Sequence, residues 1–260
     1  MLRAGVAASA AVVLALGAAA CGGGGKKGAT GNTSAADAVH AAAKKTAAAG
    51  GQHVRLATTV GTGNQSLSLA GAGDFDAKQK IGSLHATLAI AGVHTTLDEI
   101  SKGTAIYVRS PFLAAFIPAG KTWVTADLHS ASSLLGSSAG AALSADPSSV
   151  LDRLAGLADV RQVGKAMVGG TETTQYHGTV DASKLPGVAG SGSVPFDVWV
   201  GADGYVHKLQ FTANAASSGQ SVNAAVTMTL SGYGKMVHVS VPPASATVDA
   251  SKVSIPGLGG

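Results

Sequence analysis

Apolar and polar residues alternate with a period of two over most of the chain, which is typical of half-buried β-strands. The alternation predicts twelve strands, at 53–60, 66–76, 83–91, 93–100, 104–110, 121–127, 160–168, 172–181, 196–200, 205–213, 222–231 and 235–241. Glycine-containing turns separate many of them, and Gly-Ala-Asp-Gly at 201–204 is a strong hairpin signal. The pattern therefore predicts two strand-rich halves, each built from antiparallel hairpins.

Three segments break the alternation. Ser34 is a good N-cap for an alanine-rich helix over 35–49, which Gly50 and Gly51 would end. Asp146 and Pro147 predict the start of a second helix over 148–157. The stretch 111–118 is too short and too proline-bounded for a strand of the sheet. Strands, a helical insert and further strands predict an α+β domain with a large curved antiparallel sheet.

The N-terminal region reads as a lipoprotein signal. Arg3 precedes an apolar run over 4–20, and the chain's only cysteine, Cys21, follows at once, before a glycine and lysine tract. We predict a signal peptide over 1–20, a flexible tether over 21–33 with Cys21 lipidated, a domain over 34–245 and a loose tail over 246–260. The alternative is an ordinary secretory signal with a chance cysteine.

Composition narrows the function classes. Charged residues make up 12% of the chain, aromatic residues 4%, and the formal net charge is +4. So little charge argues against a long disordered chain, and no basic stripe points to a nucleic-acid partner. An exported chain with one cysteine cannot form an internal disulfide, so its core must hold the fold.

Motifs that could carry catalysis or a metal are weak. Ser138 lies in a Gly-x-Ser-x-Gly match at 136–140, but no parallel-sheet strand leads into it. The eight histidines are dispersed, and only His85 and His94 could face each other across a hairpin. Asp98 and Glu99 are adjacent on a strand and must point to opposite faces. We predict no enzyme, no metal site and no cofactor; a serine hydrolase built on Ser138 is the remote alternative.

The apolar strand positions fall on one face of the predicted sheet. They could form an ordinary packed core, or they could line an open hollow that holds acyl chains, and periodicity alone favours the packed core. If a hollow exists, we predict that its wall includes Leu67, Leu69, Leu84, Ala86, Leu88, Ile90, Ile106, Trp123, Val198 and Val226.

Several short motifs together resemble the actinobacterial LppX/LprG-type envelope lipoproteins. They are TAIYVR at 104–109, PAGKTWV at 118–124, DPSSVL at 146–151, VG at 163–164, TTQYHG at 173–178, VWV at 198–200 and DGYVHKL at 203–209. Their order and spacing cover most of residues 35–245. Each motif is weak by itself, but the ordered set is fairly specific.

The resemblance implies a half-barrel sheet wrapped over a few helices, similar to the LolA/LolB carriers. It also implies a membrane-anchored protein that binds acylated lipids or glycolipids and carries them through the cell envelope, with an envelope transporter as a further partner. The expected location is the outer face of the cytoplasmic membrane. The alternative is a non-catalytic scaffold or accessory subunit that binds another envelope protein.

Overall fold

The alternating stretches form the strands of one continuous sheet in the computed structural model. The structure describes residues 34–62, 65–90, 92–127, 150–151, 154–184, 192–217 and 220–253, all within one unit, Thr33–Gly260. In chain order the strands within these ranges are β1 (Gly51–Thr62), β2 (Gln65–Asp76), β3 (Ile81–Ile90), β4 (Val93–Lys102), β5 (Ala105–Arg109), β6 (Trp123–Asp127), β7 (Ala158–Val168), β8 (Thr171–Asp181), β9 (Ser193–Gly201), β10 (Val206–Ser217), β11 (Gln220–Lys235) and β12 (Thr247–Asp249).

The sheet consists of two meanders joined in the middle. Its order is β12-β6-β5-β4-β3-β2-β1-β11-β10-β9-β8-β7. Strands β1 to β6 follow one another outward to one side, and β11 back to β7 follow one another to the other side. Every pair is antiparallel except β6 with β12, which is parallel. The sheet is large, curved and mostly antiparallel, so the predicted fold class is confirmed.

Helix α1 (Ala35–Ala47) forms where the sequence predicts it and ends two residues earlier than expected. The Ser34 hydroxyl caps it by accepting a hydrogen bond from the backbone N–H of Asp37 at 3.1 Å. Asp37 in the first turn and Lys44 and Lys45 in the last turn suit the helix dipole. The buried side of α1 carries Val39, Ala42, Ala43 and Thr46, and it packs against β7, β9 and β10.

The C-terminal end of α1 is attached to the β9–β10 hairpin by polar contacts. Lys45 Nζ donates to the carbonyl oxygen of Asp203 at 2.6 Å and lies 4.5 Å from the centre of the Tyr205 ring. The hydroxyl of Thr46 accepts a hydrogen bond from the N–H of Val206 at 2.9 Å. Tyr205 stacks on Tyr233, and burial raises the pKa of the Tyr233 hydroxyl. These contacts fix the helix on one half of the sheet.

The C-terminal segment differs from its prediction in two places. Residues 236–243 are not a strand; instead β11 continues to Lys235 and takes up the start of the expected strand at 235–241. Residues 246–260 were expected to be a loose tail, but Thr247–Asp249 pairs with Trp123–Thr125 as an edge strand. The period-two signal over three residues is too short to predict such a strand.

Other predictions fall wholly or partly outside the described residues. Cys21, the signal peptide over 1–20, the tether over 21–33 and the Ser138 motif lie outside them. Of the helix predicted over 148–157, residues 150–151 are helical and Leu154–Gly156 form a single 3₁₀ turn. No helix in the described ranges has the length and the apolar run needed to cross a membrane.

Glycines allow a very close approach of β2 and β3. A Cβ atom added to Gly73 would overlap the carbonyl oxygen of Ser83, and one added to Gly82 would overlap the ring of Phe75. A Cβ on Gly71 would lie 2.5 Å from the Cβ of Ala86. The small residues at 71, 73 and 86 therefore reflect tight packing between these two strands.

We expect Gly73→Ala to destabilise the domain by roughly 1–3 kcal/mol, because the backbone of β3 must move to admit a methyl group. Gly61→Ala is the matched control: Gly61 lies on the neighbouring strand β1, and a Cβ there meets nothing within 4 Å. That change should be neutral or stabilising by about 0.5 kcal/mol. Urea unfolding of the two variants measures both effects, and equal stability of the two would contradict the packing argument.

Candidate functional site

The central part of the inner face, the sheet face against which α1 packs, is a continuous row of paired apolar residues. The cross-strand register links Tyr176, Val198, Leu209, Met228, Leu56, Gly71, Ala86 and Leu97 across eight strands. Val198, Leu209, Met228 and Ala86 are at most 1% exposed. This central row is a closed core: five of its members share one buried cluster with Val39 and Ala42 of α1, and Tyr176 packs against that cluster.

Burial of the inner face decreases along the strands, from the central row toward the end at which β3 ends and β4 begins. The next row links Phe196, Phe211, Val226, Thr58, Leu69, Leu88 and Thr95, and the row beyond it links Ala213, Ala224, Val60, Leu67, Ile90 and Val93. Within these rows Phe211, Val226, Leu88, Val60, Leu67 and Ala224 are only half-buried. We call these six residues the apolar rim. Together with Val93, which is 70% exposed, they are the apolar positions of these two rows that a ligand could contact with least rearrangement.

Nine of the ten predicted wall residues lie on the inner face. Leu67, Leu88 and Val226 belong to the apolar rim, Leu69 is buried beside it, and Ile90 pairs with Leu67. Val198 and Ala86 lie in the closed central row. Leu84 and Ile106 are both 5% exposed. The register thus places six of the nine on the adjacent strands β2 and β3 and Val226 two strands away on β11, whereas Val198 on β9 and Ile106 on β5 lie further along the sheet.

Trp123 lies on the other face of the sheet. It stands next to Arg109, whose guanidinium carbon is 4.8 Å from the centre of the Trp123 ring, and Arg109 pairs with Asp98 on the outer face. Its neighbour Val124 pairs with Val108 on the inner side. The strand over 121–127 has apolar residues at both odd-numbered and even-numbered positions, which point to opposite faces of the sheet. Its periodicity therefore does not indicate which face is buried.

The outer face carries cross-strand pairs of histidine and aspartate. His85 Nδ1 lies 2.6 Å from Asp98, His53 Nδ1 lies 2.9 Å from Asp74, and His177 Nδ1 lies 3.0 Å from Asp197. His85 pairs with Asp98 in register, whereas His94 pairs with Ala89, so the two histidines do not face each other. Asp98 and Glu99 do point to opposite faces, as expected. Single-strand periodicity could not indicate these pairs, because they depend on register.

Asp98 has the most extensive contacts in this set. It accepts hydrogen bonds from Arg109 Nη2 at 2.8 Å and Nε at 3.0 Å, in addition to the contact with His85. Partial burial opposes ionisation, but the His85 and Arg109 hydrogen bonds and the charge of Arg109 outweigh it and hold the pKa of Asp98 below its usual range. Each histidine–aspartate pair joins two neighbouring strands, which is the arrangement expected of contacts that stabilise the sheet. In the described ranges, no group of three or more His, Cys, Asp and Glu side chains could hold a metal ion.

Sequence reasoning missed Phe211, Val60 and Ala224 as rim residues. All three lie in stretches with a clear period of two, but no wall residue is predicted on the strands of Phe211 and Val60, whereas Ala224 shares its strand and parity with Val226. Phe211 also stacks on Phe196, with ring centres 5.3 Å apart. Register alone shows that Phe211, Val226 and Thr58 form one row with Leu69 and Leu88.

We expect Asp98→Asn to destabilise the fold by roughly 1 kcal/mol or less at about pH 7. Folding lowers the pKa of Asp98, so the ionised group stabilises the protein above the ordinary aspartate range, and that contribution is lost as pH falls through the lowered pKa. The difference between wild type and variant should therefore shrink between about pH 5 and pH 2 in urea unfolding.

Asp74→Asn is the control for this prediction, since the Asp74 side chain is 59% exposed against 29% for Asp98 and contacts one histidine without an arginine. It should change stability less at about pH 7. A pH-independent loss in Asp98→Asn would show that packing, and not the charge, is responsible.

Comparison with known proteins places the chain in a family. The model of the LppX_LprAFG lipoprotein family matches residues 34–239. The crystal structure of LprF from Mycobacterium bovis is similar at a TM-score of 0.50 and 15% identity, covering 80% of this chain and 96% of LprF. LppX from Mycobacterium tuberculosis aligns at a TM-score of 0.49 and 17% identity, covering 78% of this chain and 98% of LppX.

No curated protein sequence is similar enough to this chain to count as a relative. The likeness to LprF concerns the fold alone, because the identity is low. The family match, by contrast, extends over most of the chain and includes the helix and the strands of both meanders. The chain therefore belongs to the LppX/LprAFG lipoprotein family.

Proposed function

We propose that this protein is a non-catalytic lipid carrier of the cell envelope. In this proposal an acylated lipid or glycolipid binds along the apolar rim, on the sheet face against which α1 packs. The protein then moves this lipid through the envelope. The observation that carries the proposal is the apolar rim, because six aligned apolar side chains stay half-buried beside a closed core. Leaving that much apolar surface partly in water costs stability unless a ligand covers it.

The chemistry of the rim favours acyl chains over polar ligands. Five of the six residues are aliphatic, and the sixth is Phe211. Such side chains supply dispersion contacts and an apolar surface but no hydrogen bonds, so they cannot orient a polar headgroup. The rim would therefore bind the acyl part of a lipid, with the headgroup outside it.

A non-catalytic scaffold that binds another envelope protein is the second candidate. The closed central row favours it, because Val198, Leu209, Met228 and Ala86 leave no exposed surface there. The tight contact at Gly71 and Ala86 also shows that small residues in β2 and β3 do not by themselves create space. A carrier of this fold would have to place its ligand along the rim and not in the centre.

Leu88→Trp tests the choice between these two functions. If lipid occupies the rim, the new ring takes the space of the ligand, so lipid retained after expression in an envelope-exporting host should fall several-fold while delipidated stability is held. If the rim is packed against protein, the same ring overpacks the site and costs about 1–3 kcal/mol. Native mass spectrometry measures the lipid, and thermal unfolding measures the stability.

Thr87→Trp is the matched control, because Thr87 precedes Leu88 on β3 and is exposed on the outer face. It should change neither lipid content nor stability appreciably. Absence of lipid from the wild type, together with lost stability in Leu88→Trp, would decide for the scaffold.

We further propose that the mature protein is anchored through lipidated Cys21 to the outer face of the cytoplasmic membrane, after removal of the signal peptide over 1–20. A diacylglyceryl group on the sulfur adds two acyl chains, and at about 0.8 kcal/mol per buried CH₂ two chains give stable attachment where one is marginal. The tether over 21–33 would then join the anchor to the domain.

Cys21→Ala should abolish the lipid mass and move the protein from the membrane fraction to the soluble fraction. Intact-mass measurement of the wild type should show loss of residues 1–20 and gain of acyl groups. If the wild type carries no lipid mass and the variant fractionates as the wild type does, Cys21 is not the anchor.

A further inference from the structure

The connection between β5 and β6 is an ordered loop that exposes apolar side chains. Residues 110–118 lie beyond the ends of the two strands, and Phe112 is 50% exposed while Leu113, Phe116 and Ile117 are half-buried. The rings of Phe112 and Phe116 lie 5.4 Å apart in a tilted arrangement. Proline stands at both ends, at 111 and 118. We call residues 110–118 the apolar loop.

The backbone of the apolar loop is held by its own turns. The N–H groups of Leu113, Ala114 and Phe116 donate to the carbonyl oxygens of Ser110, Pro111 and Leu113 at 3.0, 3.2 and 2.9 Å. Leu113–Ala115 forms a single 3₁₀ turn. The loop therefore presents its apolar side chains without needing a partner to order it.

The base of the loop is attached to the C-terminal segment. Lys121 Nζ donates to the carbonyl oxygens of Ala244 and Ser245 at 3.1 and 2.9 Å, and the N–H of Thr122 donates to the carbonyl oxygen of Ala246 at 2.9 Å. Strand β12 then pairs with β6 immediately beyond the base. These hydrogen bonds and the strand pairing attach the base of the apolar loop to the sheet.

The charges around the tip suit a lipid surface. No acidic residue occurs between positions 110 and 122, and Arg109 and Lys121 flank the loop. Both acceptors of Lys121 are neutral carbonyl oxygens, so these contacts leave its positive charge uncompensated. Arg109 is paired with Asp98, so Lys121 is the cation that these contacts leave available at the base. Phe112 and Phe116 at the tip, with Trp123 and Lys121 at the base, match the order of residue types found across a membrane interface.

The loop shares its end of the sheet with the apolar rim. Thr95 Oγ1 and Ser110 Oγ are 3.2 Å apart, which connects the start of the loop to β4 near its first residue. Val93, the residue at that start, is 70% exposed. Val93 and Phe112 are thus exposed apolar residues at one end of the strands. It is the same end toward which burial of the inner face decreases.

We propose that the apolar loop inserts into the surface of a lipid bilayer, with Phe112 at its tip, as a membrane contact separate from Cys21. The surface belongs to a membrane and not to a protein partner, because the tip is small, already ordered and free of acidic residues. This contact does not rest on the carrier function; it concerns only how the domain meets a membrane.

A local fluorescence measurement tests the proposal. In a Cys21→Ser chain, Ala115→Cys introduces a single thiol on the exposed side of the loop, next to an intact Phe116. An environment-sensitive fluorophore is attached there, and the protein is mixed with phosphatidylglycerol–phosphatidylcholine vesicles that carry a nitroxide in the acyl region. We expect a blue shift and at least a two-fold quenching.

The matched control carries the same fluorophore at Met236→Cys. Met236 is 82% exposed and follows the C-terminal end of β11, which lies at the opposite end of the strands from the apolar loop, so it should stay unquenched. Adding Phe112→Ser to the loop-labelled chain should remove the quenching, while circular dichroism stays unchanged because Phe112 is exposed. The readout is local, so it does not depend on how the N-terminal region attaches to the vesicle.

Three results would overturn the proposal. Equal quenching at 115 and 236 would mean unspecific adsorption, and quenching that survives Phe112→Ser would mean that the tip is not the contact. No quenching at 115, together with self-association that Phe112→Ser abolishes, would assign the loop to a protein contact.

Discussion

The pairing of β1 with β11 is the interaction on which the rest of the structure depends. It joins eleven residue pairs, from Gly51 with Lys235 to Thr62 with Val222, and it brings together segments that lie far apart in the chain. Each meander can form from local hairpins, but only this ladder makes them one sheet. Bringing together segments so far apart in the chain has an entropic cost, which the contacts of this ladder must offset.

The continuity of the inner face follows from that ladder. Leu56 with Met228 and Thr58 with Val226 are the steps by which the rows cross from one meander to the other. Helix α1 packs on β7, β9 and β10, which belong to one meander, and its C-terminal end is fixed there by Lys45 and Thr46. The six residues of the apolar rim are shared between the two meanders, with Phe211, Ala224 and Val226 on one and Val60, Leu67 and Leu88 on the other. The rim is therefore continuous only because the same ladder joins the meanders.

The sequence predicted the elements well because their signals are local. The cap at Ser34, the glycines after α1 and the strict alternation over 83–91 each act within a few residues. Family resemblance supplied the global form. What periodicity could not supply was register, and three results depend on it: the outer position of Trp123, the histidine–aspartate pairs, and the row that unites Phe211 and Val226 with Leu88. Edge strand β12 was missed since three residues carry too little pattern.

Register also changes the meaning of the small residues. Gly71, Gly73 and Ala86 look like room for a ligand when each strand is considered alone, yet paired together they mark a very close approach of two strands. Partly exposed apolar surface on the inner face is instead found where burial decreases along the strands, at the end that also holds Val93 and the apolar loop. If that loop contacts a bilayer and the rim holds acyl chains, as we propose, a lipid would pass between the bilayer and the rim at one end of the strands. It would have no closed core to cross, and its apolar chain would have little water to traverse, which is the costly step in any transfer between membrane and protein.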